Sequence, residues 1–523
     1  MEETPQDILS SAQQAILKGD LQKAQDIVSS LTNKKGLSIQ QRLKLSHELQ
    51  WLGLPVPALK VLGKIAAPAD FHLLAPEEFC LQVRAVYMLN FMGATYVARR
   101  LLERIEDHLI AQNIDLSGYH FSLQTYKAFI LYESARYQEA LESFEQIVES
   151  CKEIGTKVYL ALHYIVCLEA TGKVEEAIAQ AEKYFKLIPE ESDTLKAMYL
   201  QNLGRIEIQR NDLKRGQDLL DQALDIFDKN HKNKDQAYAM MWRGIAFGKE
   251  ANTVEAKRIL NMAWEILHHP LSQPQAQLSV LYWQEKLGLP IDLGAKVAIR
   301  CHSCIHSFSY LLGKPIHDSP YPLHARVEAE ANALSSHDCW LVRDHQILPM
   351  KYSDIDLNNF SQVLDLYSGV QKDLDQRETY TEIQVRAMIA ALGSGPIGIH
   401  EFAFVDFIYR QDFWDWQSGK ERLKKLVQYL RKKGIPLYVN NQVHYLDIEH
   451  FQSHPLIIPM KLDFQGHHHF VKGHTKSFTR FELEEILGTK KTNASLLLKD
   501  WIKQGILKEA DKDGAKIYYD FVK

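Results

Sequence analysis

Residues 477–523 read SFTRFELEEILGTKKTNASLLLKDWIKQGILKEADKDGAKIYYDFVK, and the order of signals in this stretch decides what the C-terminal end can be. Phe478, Phe481, Leu483, Ile486 and Leu487 mark the apolar side of a short amphipathic helix. Gly488 stops it, because glycine takes the left-handed conformation that closes helices. A second helix follows a Thr/Lys-rich break and is expected to end at Gln504-Gly505. Ile506 to Lys508 and Ile517 to Tyr519 then read as paired strands. Asp513-Gly514 between them suits the positive φ of a tight hairpin turn.

Helix, turn, helix and two-stranded wing: this order resembles the winged helix-turn-helix family. The resemblance implies a second helix that enters the major groove of double-stranded DNA and a wing that lies near phosphate. It places Lys490, Lys491, Thr492, Asn493, Ser495, Lys499 and Lys503 on the helical part, with Lys512 and Lys516 on the wing. Winged helices also serve as protein–protein modules, so both kinds of partner stay open.

Upstream, a second unit of this kind is legible. Gln362 to Leu366 reads as a strand, Gly369 as a turn, and Thr381-Glu382 as the start of a helix carrying Val385, Met388, Ile389 and Leu392. Gly393 to Gly398 breaks it, Glu401 to Ile408 is helical, and a long helix runs from Ser418 to Lys433. Leu437 to Val439 and Val443 to Leu446 form a wing with Asn440-Asn441 at its turn. Residues 361–447 are similar to the output domains of bacterial response regulators, most clearly over residues 420–434, KERLKKLVQYLRKKG. That resemblance implies that the long helix is the recognition helix. The receiver domain of that family is not evident here, so control by phosphotransfer is not implied.

The residues of the long helix support a two-sided reading. Leu423, Leu426, Val427 and Leu430 fall at i, i+3, i+4 and i+7, an apolar stripe for a core. Glu421, Lys424, Lys425, Gln428 and Lys432 fall opposite. Lysine and arginine neutralise phosphates and release counterions. Gln428 has the geometry to read adenine, and Arg422 or Lys425 to read guanine. Asp412, Asp415 and Glu421 favour the helix N-terminus but repel phosphate.

The first half is helical and repetitive. A small residue recurs at Ala24, Ala58, Ala98, Ala140, Ala177, Gly216, Ala256 and Ala295, with spacings of 34, 40, 42, 37, 39, 40 and 39. Small residues are needed where antiparallel helices cross closely. This is similar to tetratricopeptide repeats, best seen in Tyr159, Ala161, Tyr164, Leu168, Gly172, Ala177, Tyr184 and Pro189. The resemblance implies seven or eight hairpins stacked into a right-handed solenoid with an extended surface for a peptide or protein. Tyr119, Phe121, Tyr126, Phe129, Tyr132, Tyr159, Tyr164, Tyr199, Tyr238 and Trp242 are candidates either for that surface or for packing between helices.

Composition bounds the rest. The 523 residues are 46% hydrophobic and 24% charged, ordinary values for globular protein. No run of about 18 apolar residues suggests a membrane span, and the polar start MEETPQDILSS is unlike a secretory signal. Six cysteines without a disulfide framework favour a reducing compartment, the cytoplasm. Residues 381–523 hold 21 Lys/Arg against 17 Asp/Glu, whereas the whole chain is at −5, so the remainder is at −9. Cys301-His302-Ser303-Cys304 and His306 lack a second ligand pair for zinc. His444, His450, His454, His467, His468, His469 and His474 read as a polar link, not a metal site. No nucleotide-binding or hydrolase motif is present, so no enzymatic activity and no cofactor are expected.

The expected fold is mostly α: an α-solenoid of tetratricopeptide-like helical hairpins followed by two small α+β winged-helix domains. The expected order is array 1–300, connecting segment 301–360, first winged domain 361–447, histidine-rich linker 448–475 and second winged domain 476–523. The function expected of it is DNA-binding transcriptional regulation with a peptide or protein on the array, and self-association is compatible with it. A scaffold in which repeats and winged helices all bind protein is the alternative.

Overall fold

The computed structural model describes the chain outside residues 1–7, 9, 12–13, 16–22, 24–25, 28–36, 52–54, 64–70, 73, 113–116, 134–135, 191, 230–232, 268–273, 308–332, 335, 375, 396–397, 410–415, 441, 448–454, 461–470, 472–476, 488–490, 504, 514–515 and 523. Two compact units form, Met1–Leu289 with Leu312–Pro322, and Pro290–Leu311 with Leu323–Lys523.

The first unit is a series of helical hairpins. They pair α1 (Ile39–Trp51) with α2 (Pro55–Leu62), α3 (Phe79–Phe91) with α4 (Thr95–Ala111), and α5 (Ser117–Glu133) with α6 (Tyr137–Ser150). They continue with α7 (Ile154–Ala170) and α8 (Val174–Phe185), α9 (Asp193–Gln209) and α10 (Leu213–Lys229), α11 (Asn233–Lys249) and α12 (Thr253–Leu267), then α13 (Pro274–Lys286). Ala58, Ala98, Ala140, Ala177, Gly216 and Ala256 each occupy the fourth position of a second helix, and all are buried. The crossing of α9 with α10 shows why the residue must be small. A Cβ on Gly204 would stand 2.9 Å from the Gly216 carbonyl oxygen, and one on Gly216 would stand 2.5 Å from Ile208 Cγ1.

Several connections close on the same pattern. Ala94, Lys173, Asp212 and Asn252 donate their N–H to the carbonyls of Leu89, Leu168, Glu207 and Phe247. The residue before each donor is left-handed: Gly93, Gly172, Asn211 and Ala251. First helices stack on first helices, α1 on α3, α3 on α5, α7 on α9, α9 on α11 and α11 on α13, so each hairpin meets its neighbours. An ion pair is sealed into this stack: Arg205 of α9 donates to Glu169 Oε1 of α7 at 2.6 Å, and both side chains are buried. Ala24 lies outside the described residues. Ala295, the last member of the spacing series, belongs to the second unit.

That unit opens with α14 (Leu293–Ser307) and a six-stranded sheet. The sheet contains β1 (Cys339–Arg343), β2 (Gln346–Met350), β3 (Gln362–Asp365), β4 (Val370–Asp373), β5 (Gln376–Thr379) and, after three intervening short strands, β9 (Leu456–Pro459), in the order β2-β1-β9-β3-β4-β5. Asp344 and His345 turn β1 into β2 with φ of 49° and 61°, the paired left-handed conformation of a two-residue hairpin. Strand β9 comes from the stretch expected to be a histidine-rich linker. Leu456-Ile457-Ile458 is a short apolar run with no alternation, because it is covered on both faces. Trp340, Val342, Leu364, Leu456 and Ile458 face the helices, while Cys339, Leu341, Val363 and Ile457 face the segment 350–360 with Tyr367.

The stretch expected to be the first winged domain continues as an α+β domain with α15 (Glu382–Ser394), β6 (Ile399–His400), α16 (Glu401–Tyr409), α17 (Trp416–Lys432), β7 (Leu437–Asn440) and β8 (Val443–Leu446), the sheet order being β6-β8-β7. The second contains β10 (Ser477–Thr479), α18 (Arg480–Leu487), α19 (Lys491–Lys503), β11 (Leu507–Asp513) and β12 (Lys516–Phe521), ordered β10-β12-β11. Ser477–Thr479 is a strand rather than the first turn of a helix. Phe478 is paired with Tyr519 in the sheet and fully buried, whereas Phe481 is exposed. The two domains share one apolar core: Leu430 and Phe404 of the first belong to the same buried cluster as Trp501, Leu483 and Phe478 of the second.

Candidate nucleic-acid interface

Each domain begins its helical part with the same device. Thr381 N donates to Gln384 Oε1 at 2.9 Å while Thr381 Oγ1 accepts from Gln384 N at 3.4 Å. Thr479 N donates to Glu482 Oε2 at 2.6 Å while Thr479 Oγ1 accepts from Glu482 N at 3.4 Å. Both are reciprocal capping boxes, and they fix where the following helices point.

Helix α17 is two-sided as its spacing requires. Leu423, Leu426, Val427 and Leu430 are buried. Arg422, Lys424, Lys425, Gln428 and Lys432 are exposed. Its basic residues divide by role. Lys420 Nζ meets Glu401 at 3.1 Å, Lys433 Nζ meets Glu378 at 2.9 Å, and Arg431 Nε donates to the Leu437 carbonyl at the base of the wing. Arg422 lies over the Tyr409 ring, 6.0 Å from its centroid. Among the described residues, Lys424, Lys425 and Lys432 have no carboxylate within ion-pair distance. Lys420, Arg431 and Lys433 therefore hold the domain together, while Lys424, Lys425 and Lys432 face solvent without an ion-pair partner among the described residues.

The wing of this domain adds features that periodicity alone does not give. Tyr438 and Tyr445 oppose one another across β7 and β8, and their rings stack with centroids 5.0 Å apart and 8° between planes. Tyr438 is 51% exposed, and Val439 beside it is also exposed. Gly398 (φ 75°) seats Tyr445, because a Cβ there would come within 2.6 Å of the ring. The register of a two-residue hairpin would have found the pair. Behind the wing, His444 is buried edge-on to Phe404, centroids 5.1 Å apart. Burial, helped by the positive charge of Arg431, lowers its pKa to about 4.

Helix α19 presents a different face. Lys491, Thr492, Lys499 and Lys503 are exposed and Ser495 is half-buried. Lys490 lies outside the described residues, as does the Asn493 side chain. Leu496 is 60% exposed in the midst of these cations, and Ile502 and Phe481 are exposed nearby in sequence. On the wing, Lys512 and Lys516 are exposed, but β11 alternates sign: Lys508, Glu509, Asp511, Lys512, Asp513. Lys512 N donates to Asp511 Oδ1 at 2.7 Å. The lysines of this wing thus stand among carboxylates, and its field is close to neutral.

Among the described residues no three His, Cys, Asp or Glu side chains converge so as to hold a metal ion. Cys301 packs in the core of the second unit. His450, His454, His467, His468, His469 and His474 fall outside the described residues. Among those described, no helix is long and apolar enough to cross a membrane.

No family model matches the chain, and no curated protein does. Among solved structures, it is similar to a Rap protein complexed with competence and sporulation factor, at 13% identity over 63% of this chain and 97% of that one, with a TM-score of 0.38. It is similar to the apo form of RapI at 13% identity, over 63% and 98% of the two chains, with a TM-score of 0.33. It is similar to a signal-transduction ATPase with a tetratricopeptide repeat sensor from Pyrococcus horikoshii at 14% identity, over 64% of this chain and 52% of that one, with a TM-score of 0.29.

Proposed function

We propose that this chain is a DNA-binding transcriptional regulator whose helical array receives a peptide or protein partner. The observation that carries the reading is the division of cations on α17. Lys420, Arg431 and Lys433 are taken up by internal contacts, and Lys424, Lys425 and Lys432 are left on one exposed face with Gln428 among them. A row of uncompensated lysines beside an amide is what phosphate neutralisation and base reading require. In this reading Lys424, Lys425 and Lys432 meet phosphate, and Gln428 and Arg422 face base edges. Lys490, Lys491, Thr492, Asn493, Ser495, Lys499, Lys512 and Lys516 provide a weaker second contact. The role is non-enzymatic, needs no cofactor, and suits the cytoplasm.

The test is fluorescence anisotropy of the full chain on random duplex DNA across a salt series. Binding should weaken steeply with salt, and Lys424→Glu/Lys425→Glu should lower the log–log slope by about 2, near 0.9 for each phosphate no longer neutralised. An unchanged slope in that variant would remove the assigned surface.

A scaffold role has its own support. Phe481, Leu496 and Ile502 are exposed on the second winged domain, and its wing alternates charge. Exposed apolar side chains ringed by mixed charge suit a protein partner better than phosphate. Absence of DNA binding at low salt, with a protein retained through the second domain, would favour it.

A further inference from the structure

The layer of first helices holds a guanidinium that, among the described residues, has no counter-ion. Arg84 of α3 lies 4.9 Å over the ring of Tyr87 and donates through one terminal nitrogen to Gln50 Oε1 of α1. Its Nε is shielded from solvent and has no hydrogen-bond partner, and among the described residues no carboxylate forms an ion pair with it. A shielded charge is ordinarily paired, because desolvation costs several kcal/mol. Among the described residues, the acceptor it meets is a neutral amide. Gln50 presents that oxygen as a carboxylate would, and its Nε2 donates to the Tyr87 hydroxyl at 3.2 Å.

Aromatic rings complete the surround. Tyr87 meets Tyr126 and Phe129 of α5, at 5.5 and 5.4 Å between centroids. Tyr159 and His163 of α7 stand 5.4 Å apart, and His163 meets Phe129 at 4.7 Å. Tyr159 comes from two hairpins further along the chain than Tyr87, yet the two hydroxyls lie close enough to influence each other's ionisation, and the Asp235 carboxylate of α11 acts on the Tyr159 hydroxyl as well. First helices far apart in sequence thus converge on one space. Tyr87, Tyr126, Tyr159 and Arg84 are all half-buried: packed by protein, yet touched by solvent. Burial pushes the Tyr87 and Tyr159 hydroxyls well away from ionisation, so both remain hydrogen-bond donors at every physiological pH. His163 is held neutral for the same reason, its pKa lowered to about 4.

We propose that Arg84, with the hydroxyls of Tyr87 and Tyr159 and the amide of Gln50, is the receptor site of the array for a carboxylate borne by a peptide. The carboxylate displaces Gln50 from Arg84, since it brings a full opposite charge and two oxygens that match the guanidinium fork, where the amide offers a single neutral oxygen. Tyr87, Tyr126 and Phe129 flank the residue that bears it. This rests on the reading of the array as a peptide receptor and adds where the peptide sits and which charge it must carry.

The experiment presents the full chain with a pool of random hexapeptides with free carboxylates, and with a second pool amidated at the C-terminus and holding Asn and Gln in place of Asp and Glu. Retained peptides are identified by mass spectrometry and their affinities measured by anisotropy. The first pool should be retained at least tenfold better than the second. Arg84→Gln should abolish the difference, and Tyr159→Phe, which leaves the packing intact, should weaken binding several-fold. Equal retention of both pools, or retention unchanged in Arg84→Gln and Tyr159→Phe, overturns the site and leaves the array as a peptide receptor elsewhere. Retention of neither pool overturns both.

Discussion

The two C-terminal α+β domains are built alike and surfaced differently. Both start from a threonine capping box, follow it with helices over a shared core, and end in a hairpin. In the first, the solvent face of α17 is mainly basic and polar, and Glu401 and Glu378 are matched to Lys420 and Lys433. In the second, Leu496 interrupts the basic face of α19 and the wing cancels its own charge. The framework of such a domain constrains only the buried positions. What it binds is decided by a handful of exposed residues, so likeness of framework is no guide to likeness of partner.

Four experiments would break or sharpen that contrast. The largest effect is expected from Trp501→Ala. Trp501 is fully buried in the cluster that the domains share, and such truncations cost about 3–5 kcal/mol. Chemical denaturation followed by hydrogen exchange should show α17 losing protection together with α19. Loss confined to α19 would mean that the domains fold separately.

The next effect is expected from acid, acting through a residue of the first domain alone. His444 is neutral in the folded first domain, with its pKa lowered to about 4, so the unfolded chain binds more protons between its ordinary pKa and that value. The stability it protects is complete above pH ~6.5 and falls as pH drops, by about 1.4 kcal/mol per unit. Residues 476–523 contain no histidine. Between pH 7 and pH 5 hydrogen-exchange protection should fall in the first domain and, through the shared core, in α19, and His444→Phe should flatten that response. A pH response unaltered by the substitution would assign it to another group.

DNA affinity comes third. Lys424→Glu/Lys425→Glu should weaken binding of random duplex by about 10- to 100-fold, roughly 1.4–2.8 kcal/mol. Lys491→Glu/Lys499→Glu should do less, because its surroundings are more apolar. Equal losses would erase the functional contrast. The smallest effects belong to the caps. Thr381→Ala and Thr479→Ala should each cost about 1 kcal/mol, read as a shift in the denaturation midpoint, and a near-equal cost would confirm the common framework.

Much of this architecture can be read from the chain because it is local. The small residues from Ala58 to Ala256 are legible since a close helix crossing admits nothing larger, and the stripe from Leu423 to Leu430 since a helix repeats every 3.6 residues. What escapes is non-local. Leu456 to Pro459 looks like part of a link because its strand partners, Cys339 to Val342 and Leu364-Asp365, lie about 90 or more residues away. Phe478 fits a helical stripe until Tyr519 claims it for a sheet. The lysines of α17 could be named from the sequence, but not sorted. Only the positions of Glu378 and Glu401 distinguish Lys433 and Lys420 from Lys424 and Lys425.

Strand β9 lies between β1 and β3, although it is made after the whole first winged domain. At synthesis rates of about 5–20 residues per second, roughly 5–20 seconds separate the appearance of β3 from that of β9. Throughout that interval the β1–β2 hairpin and the β3–β5 meander each expose an unpaired edge, a template for wrong pairing in a crowded nascent chain. The last strand to arrive is the keystone that joins them, so a chain cut short of Leu456 would carry two open edges and two unjoined halves of a sheet.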